Sequence, residues 1–189
     1  ETFWFNHIFF YDIVRISSDR SPVILHRRGG LGSHRYQIGF SGDALINFQT
    51  LGFQPYFTAT ASNVGYGYWG HDLGGHAFTD ESIVNDPELV LRWIQFGVFT
   101  PIFRTHATND ARIERRIWKF DNFPTMLEAV RLRYSLFPYL YTMARKAYDT
   151  GISVCRPLYY DCQLYTSDDA DDKARVDECD RRIIKKKKV

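Results

Sequence analysis

The chain has 189 residues, 44% hydrophobic and 16% aromatic, with a formal net charge of +2. That length supports one domain with a sizeable core, and a charge this close to neutral points to neither nucleic acid nor a membrane surface. No apolar run is long enough to span a bilayer, and three cysteines (Cys155, Cys162 and Cys179) make neither an even disulfide set nor a zinc spacing.

In chain order, the start Glu1-Thr-Phe-Trp-Phe-Asn lacks an initiator Met, a basic leader and a uniform apolar stretch. It does not read as a signal peptide, and a start in mid-pattern reads as that of a fragment. Residues 3–16 are aromatic and apolar, a helix packed on a core. Asp19-Arg-Ser-Pro22 is a turn by composition. Residues 23–26 are a short apolar run consistent with a buried parallel strand. The glycines Gly29, Gly30 and Gly32 follow as a loop.

A second strand is expected over residues 36–40, ending at Ser41-Gly42-Asp43, and a helix over 44–61, with Leu45, Phe48 and Leu51 at helical spacing. A third strand over 66–69 ends at Gly70-His71-Asp72; its neighbours Gly65 and Gly67 suit a strand only where backbones approach closely. Asp86-Pro87-Glu88 starts a helix: a capping Asp, Pro at the first helical position, and a carboxylate near the positive end of the dipole. Leu89, Trp93 and Phe96 give that helix an apolar face, and Gly97 closes it. A fourth strand over 98–103 is interrupted by Pro101 and ends at Arg104-Thr105-His106.

The longest helix is expected over 124–148, kinked at Pro138 and stopped by Gly151, with a strand over 152–160 after it. From about residue 163 the pattern breaks. An acidic cluster at 168–172 and a basic run at 181–188 carry little apolar content, and a disordered tail foreign to the domain is expected.

Alternation of strand, loop and helix is the pattern of an α/β protein with a parallel sheet or barrel. Arg27, Asp43, Asp72 and His106 then fall just past successive strand ends, which converge on one face of a barrel. Asp43 in an aromatic pocket, lined by Phe40 and the Tyr66–Trp69 cluster, would be desolvated and suited to general acid work; as an alternative it caps the helix that follows. Asp72 could bind a substrate hydroxyl or be a buried carboxylate bonded to backbone amides. The run His71-Asp-Leu-Gly-Gly-His76 also permits a metal reading, although it lacks helical ligand spacing. His106 could donate to sugar hydroxyls or be a structural His, and one of Arg27 and Arg28 could hold hydroxyls or carboxylates.

The run His26-Arg-Arg-Gly-Gly-Leu-Gly-Ser-His-Arg-Tyr-Gln-Ile-Gly-Phe-Ser-Gly-Asp43 resembles glycoside hydrolase family 31, the α-glucosidase and α-xylosidase family. The resemblance continues through Gly70-His-Asp-Leu-Gly-Gly75, Pro101-Ile-Phe-Arg-Thr-His106, Arg116-Ile-Trp-Lys-Phe120 and Arg133-Tyr-Ser-Leu-Phe-Pro-Tyr-Leu-Tyr141. It implies the second half of a (β/α)8 TIM barrel, strands five to eight, over residues 1–150, the start of a β-sandwich over 151–162, and a separate tail over 163–189.

The resemblance also implies that Asp43 is the acid/base, that Arg27, Asp72 and His106 contact sugar, and that Phe40 and His76 shape the subsite. At those last two positions the family often has Trp and Phe. The family's nucleophile motif, a Trp-x-Asp-Met-Asn-Glu-like stretch, is not in this sequence. The implied activity is retaining hydrolysis of terminal α-linked glucose from oligosaccharides, with no cofactor and no metal. α-Transglucosylase, α-xylosidase and a non-catalytic sugar-binding homologue are the alternatives within the family; a metal-dependent enzyme using His71, Asp72 and His106 is the alternative outside it.

Overall fold

The computed structural model describes residues 2–16, 22–27, 31–79 and 83–160; the tail expected from 163 onward lies outside them. The chain divides into two units, Glu1–Arg156 and Pro157–Val189. In the first, helix α1 (Thr2–Ile16) precedes strand β1 (Leu25–Arg27), strand β2 (Ile38–Phe40), helix α2 (Phe48–Ala61), strand β3 (Tyr68–Gly70), helix α3 (Pro87–Gly97), helix α4 (Phe123–Ser135) and helix α5 (Phe137–Thr150). In the second, the described part is a single 3₁₀ turn, Leu158–Tyr160.

The three strands form one parallel sheet in the order β1-β2-β3. Arg27 pairs with Phe40, and Phe40 with Gly70, so the strands end in one row. Parallel neighbours require a crossover, and α2 supplies the one between β2 and β3. Asn47 caps α2, its side chain accepting from the Thr50 amide at 2.7 Å. The helix therefore begins at Phe48, and residues 44–47, expected to be helical, instead run alongside residues 76–77. The Ile46 amide donates to the Ala77 carbonyl and the His76 amide to the Ala44 carbonyl, both at 2.8 Å.

Other expectations are refined in the same way. The strand expected over 98–103 is reduced to two parallel bridges, Gly70 with Ile102 and Leu73 with Thr105. Pro101 has no N–H to donate, so a continuous ladder cannot form there. The helix expected over 124–148 is two helices, broken at Leu136, with Pro138 in the first turn of α5. Proline cannot supply the amide for a bond back to residue 134 and fits a first turn instead. Gly151 ends α5 at φ 73°, as expected of an αL cap. No strand forms over residues 152–160.

The core lies where α3 meets α4 and the segment after β3. The Asp86 carboxylate accepts from the Glu88 and Leu89 amides at 2.9 and 3.2 Å, with Pro87 behind it, so the helix start is the one expected. α3 buries Leu89, Val90, Trp93 and Ile94 against Leu73, Val98 and Met126. Burying side chains of this size stabilises by about 1.5–3 kcal/mol each. Behind the sheet, Tyr66 and Trp69 pack edge-to-face at 5.1 Å, and Trp69 meets Phe57 of α2 at 5.2 Å.

Gly39 of β2 leaves room for these rings: a Cβ there would lie 2.7 Å from both Trp69 and Tyr66. By contrast Gly52, in the middle of α2, has open space around it. In urea titrations of the chain, Gly39→Ala should lower stability by about 1–3 kcal/mol through overpacking. Gly52→Ala should raise it by about 0.5–1 kcal/mol through helix propensity. Similar midpoints for the two variants would contradict this packing.

Candidate functional site

The aligned strand ends place four short segments side by side: Arg27 after β1, residues 41–43 after β2, residues 71–76 after β3, and Arg104-Thr105-His106 after the bridge at Ile102. Asp72 lies deepest, 1% exposed. Arg104 reaches it with two donors, Nε at 3.0 Å and Nη2, both to Oδ1. Of the alternatives read from the sequence, Asp72 is thus a buried carboxylate held by a guanidinium rather than by backbone amides. Arg104 also lies 4.9 Å above the Phe40 ring, so it is fixed from two sides.

Asp43 does not cap α2; that role falls to Asn47. Its Oδ1 forms an ion pair with Arg27 Nη1. The side chain is 45% exposed, so the desolvated environment expected for it is not formed by this chain. The aromatic lining is nevertheless in place. A cavity of about 440 Å³ opens beside Asp43, bounded by Arg27, Phe40, Gly42, Tyr66 and Trp69.

His76 stands between the two carboxylates. Its Nε2 is 3.8 Å from Asp43 Oδ1 and its Nδ1 is 3.6 Å from Asp72 Oδ2. The ring stacks on that of exposed His106 at 5.3 Å with planes 22° apart. Gly74 and Gly75 give the backbone the bend that brings His76 back over Asp72, at φ 102° and 79°. L side chains rarely adopt such angles, and a Cβ on Gly74 would lie 2.5 Å from Arg115 Nε.

Two groups essential to this arrangement were not singled out from the sequence. Arg115 is buried, which pushes its guanidinium down to about 10. It donates to the carbonyls of Gly74 and Gly75 at 2.8 and 3.1 Å and to that of Val84 at 3.1 Å, fastening the glycine loop. Arg104 appeared in a quoted motif, but nothing in local spacing identified Asp72 as its partner, 32 residues away. Its place past the fourth strand end was the available signal.

His71, considered above as a metal ligand, is instead a structural tie. It is fully buried, with Nε2 2.7 Å from Thr58 Oγ1 of α2 and Nδ1 2.9 Å from Ser41 Oγ. Both ring nitrogens are engaged, which corrects the trio of His71, Asp72 and His106. The residues that do converge are Asp72, His76 and His106, each offering one ligand atom within 4.8 Å of the others.

Parallel strands with crossover helices and a row of ionisable side chains past the strand ends are the pattern of one part of an α/β barrel domain, seen at its C-terminal face. The family model described as the glycosyl hydrolases family 31 TIM-barrel domain matches residues 3–143, and the chain belongs to this family. A probable glucan 1,3-α-glucosidase of Oryza sativa subsp. japonica is 38% identical over 140 residues, covering 73% of this chain and 15% of that protein. An α-xylosidase of Saccharolobus solfataricus is 34% identical over 154 residues, 80% and 21% of the two chains. Among solved structures, a xylosidase from Aspergillus niger superposes with a TM-score of 0.74 at 26% identity, over 87% of this chain and 26% of that one. The chain therefore spans only about 15–21% of the length of these two curated relatives.

Burial holds His71 well down, from 6.5 to about 3. Between those values the unfolded chain binds a proton that the folded chain does not, so His71 favours folding fully above pH 6.5 and progressively less as pH falls toward 3. Urea midpoints should drop between pH 7 and pH 4. The drop should be smaller in His71→Asn, measured against that variant's own midpoint at pH 7; equal slopes would show that His71 is not the group responsible.

Proposed function

We propose that this chain supplies the acid/base half of the active site of a retaining α-glycosidase that removes terminal α-linked glucose from oligosaccharides. The observation that carries this reading is the position of Asp43: a solvent-accessible carboxyl past a strand end, paired with Arg27, facing His76 and bordering an aromatic-lined cavity. The names of the relatives, a probable glucan 1,3-α-glucosidase, an α-xylosidase and a xylosidase, support the substrate class.

In this reading β1, β2, β3 and the bridged segment at Ile102 are strands five to eight of the barrel, with residues 1–150 forming its second half. Residues 151–162, with no strand over 152–160, would lead into a β-sandwich, and 163–189 would be a separate tail. The nucleophile belongs to a part of the protein outside this chain. Exposed aromatic side chains support such a division: Trp4, Phe9 and Tyr11 on α1, and Tyr134, Phe137 and Tyr141 on α4 and α5, all lie open to solvent. Exposed aromatic side chains in such number point to an interface, here with the remainder of the protein, which would also cover Asp43.

Two carboxyl groups about 5 Å apart flank the bond in retaining enzymes. The nucleophile attacks the anomeric carbon while Asp43 protonates the departing oxygen, and the glycosyl group becomes covalently bound. Asp43, now a carboxylate, takes a proton from the incoming water, which releases the sugar and restores the acid. Arg27 would hold the carboxylate in place and contact sugar hydroxyls. Phe40, Asp72, His76 and His106 would bound the glucose subsite, with Asp72 accepting and His106 donating to hydroxyls. No cofactor takes part in this scheme.

In the full-length enzyme, Asp43→Ala should slow natural glycosides by about 10²–10⁴-fold, and substrates with activated aryl leaving groups far less, because these need no proton. Equal losses on both would overturn the assignment. The 189-residue chain alone should not hydrolyse an aryl α-glucoside; turnover by it would overturn the proposed division of the barrel.

A further inference from the structure

The pairing of β2 with β3 continues past the last rung of their ladder. That rung joins Phe40 to Gly70, and the next residues along the two strands are Ser41 and His71. The Ser41 amide still donates to the Gly70 carbonyl at 3.2 Å. The side chains then extend the pairing, with Ser41 Oγ 2.9 Å from His71 Nδ1. On the other side of the imidazole, Nε2 lies 2.7 Å from Thr58 Oγ1 of α2.

His71 is a rigid point of attachment. It is fully buried, with the rings of Phe96 and Trp93 at 5.2 and 6.0 Å. A neutral imidazole has one N–H and one lone pair, and a hydroxyl can meet either, so both contacts hold in either tautomer. Ser41 is joined to Asp43 through Gly42, whose φ of 79° is open to a residue without a Cβ. A Cβ on Gly42 would meet nothing nearer than Arg27 Cδ at 3.7 Å. Beyond Asp43 the chain is held by its backbone: the Ala44 carbonyl accepts from the His76 and Ala77 amides at 2.8 and 3.1 Å. Asp43 therefore sits on a short span between two anchors, with a permissive glycine next to it. The upstream anchor includes one side-chain hydroxyl.

We propose that Ser41, held by His71, is a positioning residue for the carboxyl of Asp43. This rests on the reading of Asp43 as the acid/base. Ser41 acts through the backbone of Gly42 and need not touch sugar. When Asp43 is protonated for the acid step, its ion pair with Arg27 weakens, and the backbone anchors carry more of its placement. Proton transfer needs heavy atoms about 2.6–3.2 Å apart, and a misplacement of about 1 Å can cost about 10²-fold in rate. One neutral hydrogen bond shifts an equilibrium by about 3–10-fold, so loss of the Ser41 hydroxyl should lower the well-placed fraction of Asp43 by about that factor.

The test is Ser41→Ala in the full-length enzyme, with circular dichroism to confirm the fold. Two substrates are compared: whichever of maltose, isomaltose and nigerose the enzyme turns over fastest, and a dinitrophenyl α-glucoside, whose leaving group needs no proton. kcat/KM on the disaccharide should fall by about 3–10-fold, and that on the dinitrophenyl glucoside should stay unchanged. A merely structural loss would lower both alike. Ser41→Thr, which keeps the hydroxyl, should retain the disaccharide rate. Asp43→Ala, measured alongside, separates the two ideas. If it shows no dependence on leaving group, the acid/base reading falls and this inference with it. If it does, and Ser41→Ala lowers both substrates equally or neither, or Ser41→Thr loses as much as Ser41→Ala, then the positioning role alone is overturned.

Discussion

The site depends on one buried ion pair, Asp72 with Arg104. A carboxylate 1% exposed is tolerable only with a charge partner and hydrogen bonds. Arg104 provides both by placing two donors on one oxygen. Breaking such a pair leaves an uncompensated charge, a loss of about 3–5 kcal/mol. The pair also has a geometric effect. Asp72 follows β3 and Arg104 follows the bridge at Ile102, so their union joins two strand ends that Pro101 prevents from forming a full ladder. The Leu73 amide donates to the Arg104 carbonyl at 3.1 Å and reinforces the same junction.

Around this pair the frame consists of side chains that bind backbone or one another. His71, held neutral by burial, links the loop after β2 to α2 through Ser41 and Thr58. Arg115 fastens the glycine loop, and Arg133 reaches from α4 to the carbonyls of Val98, Thr100 and Pro101. That last contact supplies donors to a segment that cannot satisfy all its carbonyls through strand pairing. The groups these contacts frame, Asp43, His76 and His106, occupy the partly or fully exposed rim. Rigid support beneath accessible functional groups is the usual division in a barrel, where the scaffold and the loops are selected for different things.

His76 lies between the two carboxylates of the site. As a subsite wall it presents a flat ring, as a Phe would. Its two ring nitrogens face Asp43 and Asp72 from opposite sides.

The sequence by itself determined the order of elements from α1 to α3, the α3 start at Asp86-Pro87, the stop at Gly151 and the candidate residues past the strand ends. Those features rest on local rules: capping, proline and glycine backbone limits, and periodicity. Motifs in the right order likewise identified the family. The tertiary structure alone decided that Asp72 pairs with Arg104, that His71 is a tie rather than a ligand, that α2 is capped by Asn47 instead of Asp43, and that residues 44–47 run beside 76–77. Each is a contact between residues distant in sequence, or a competition between two local options that packing resolves. Spacing along the chain carries no record of such contacts, because they exist only once parallel strands bring their ends into one row.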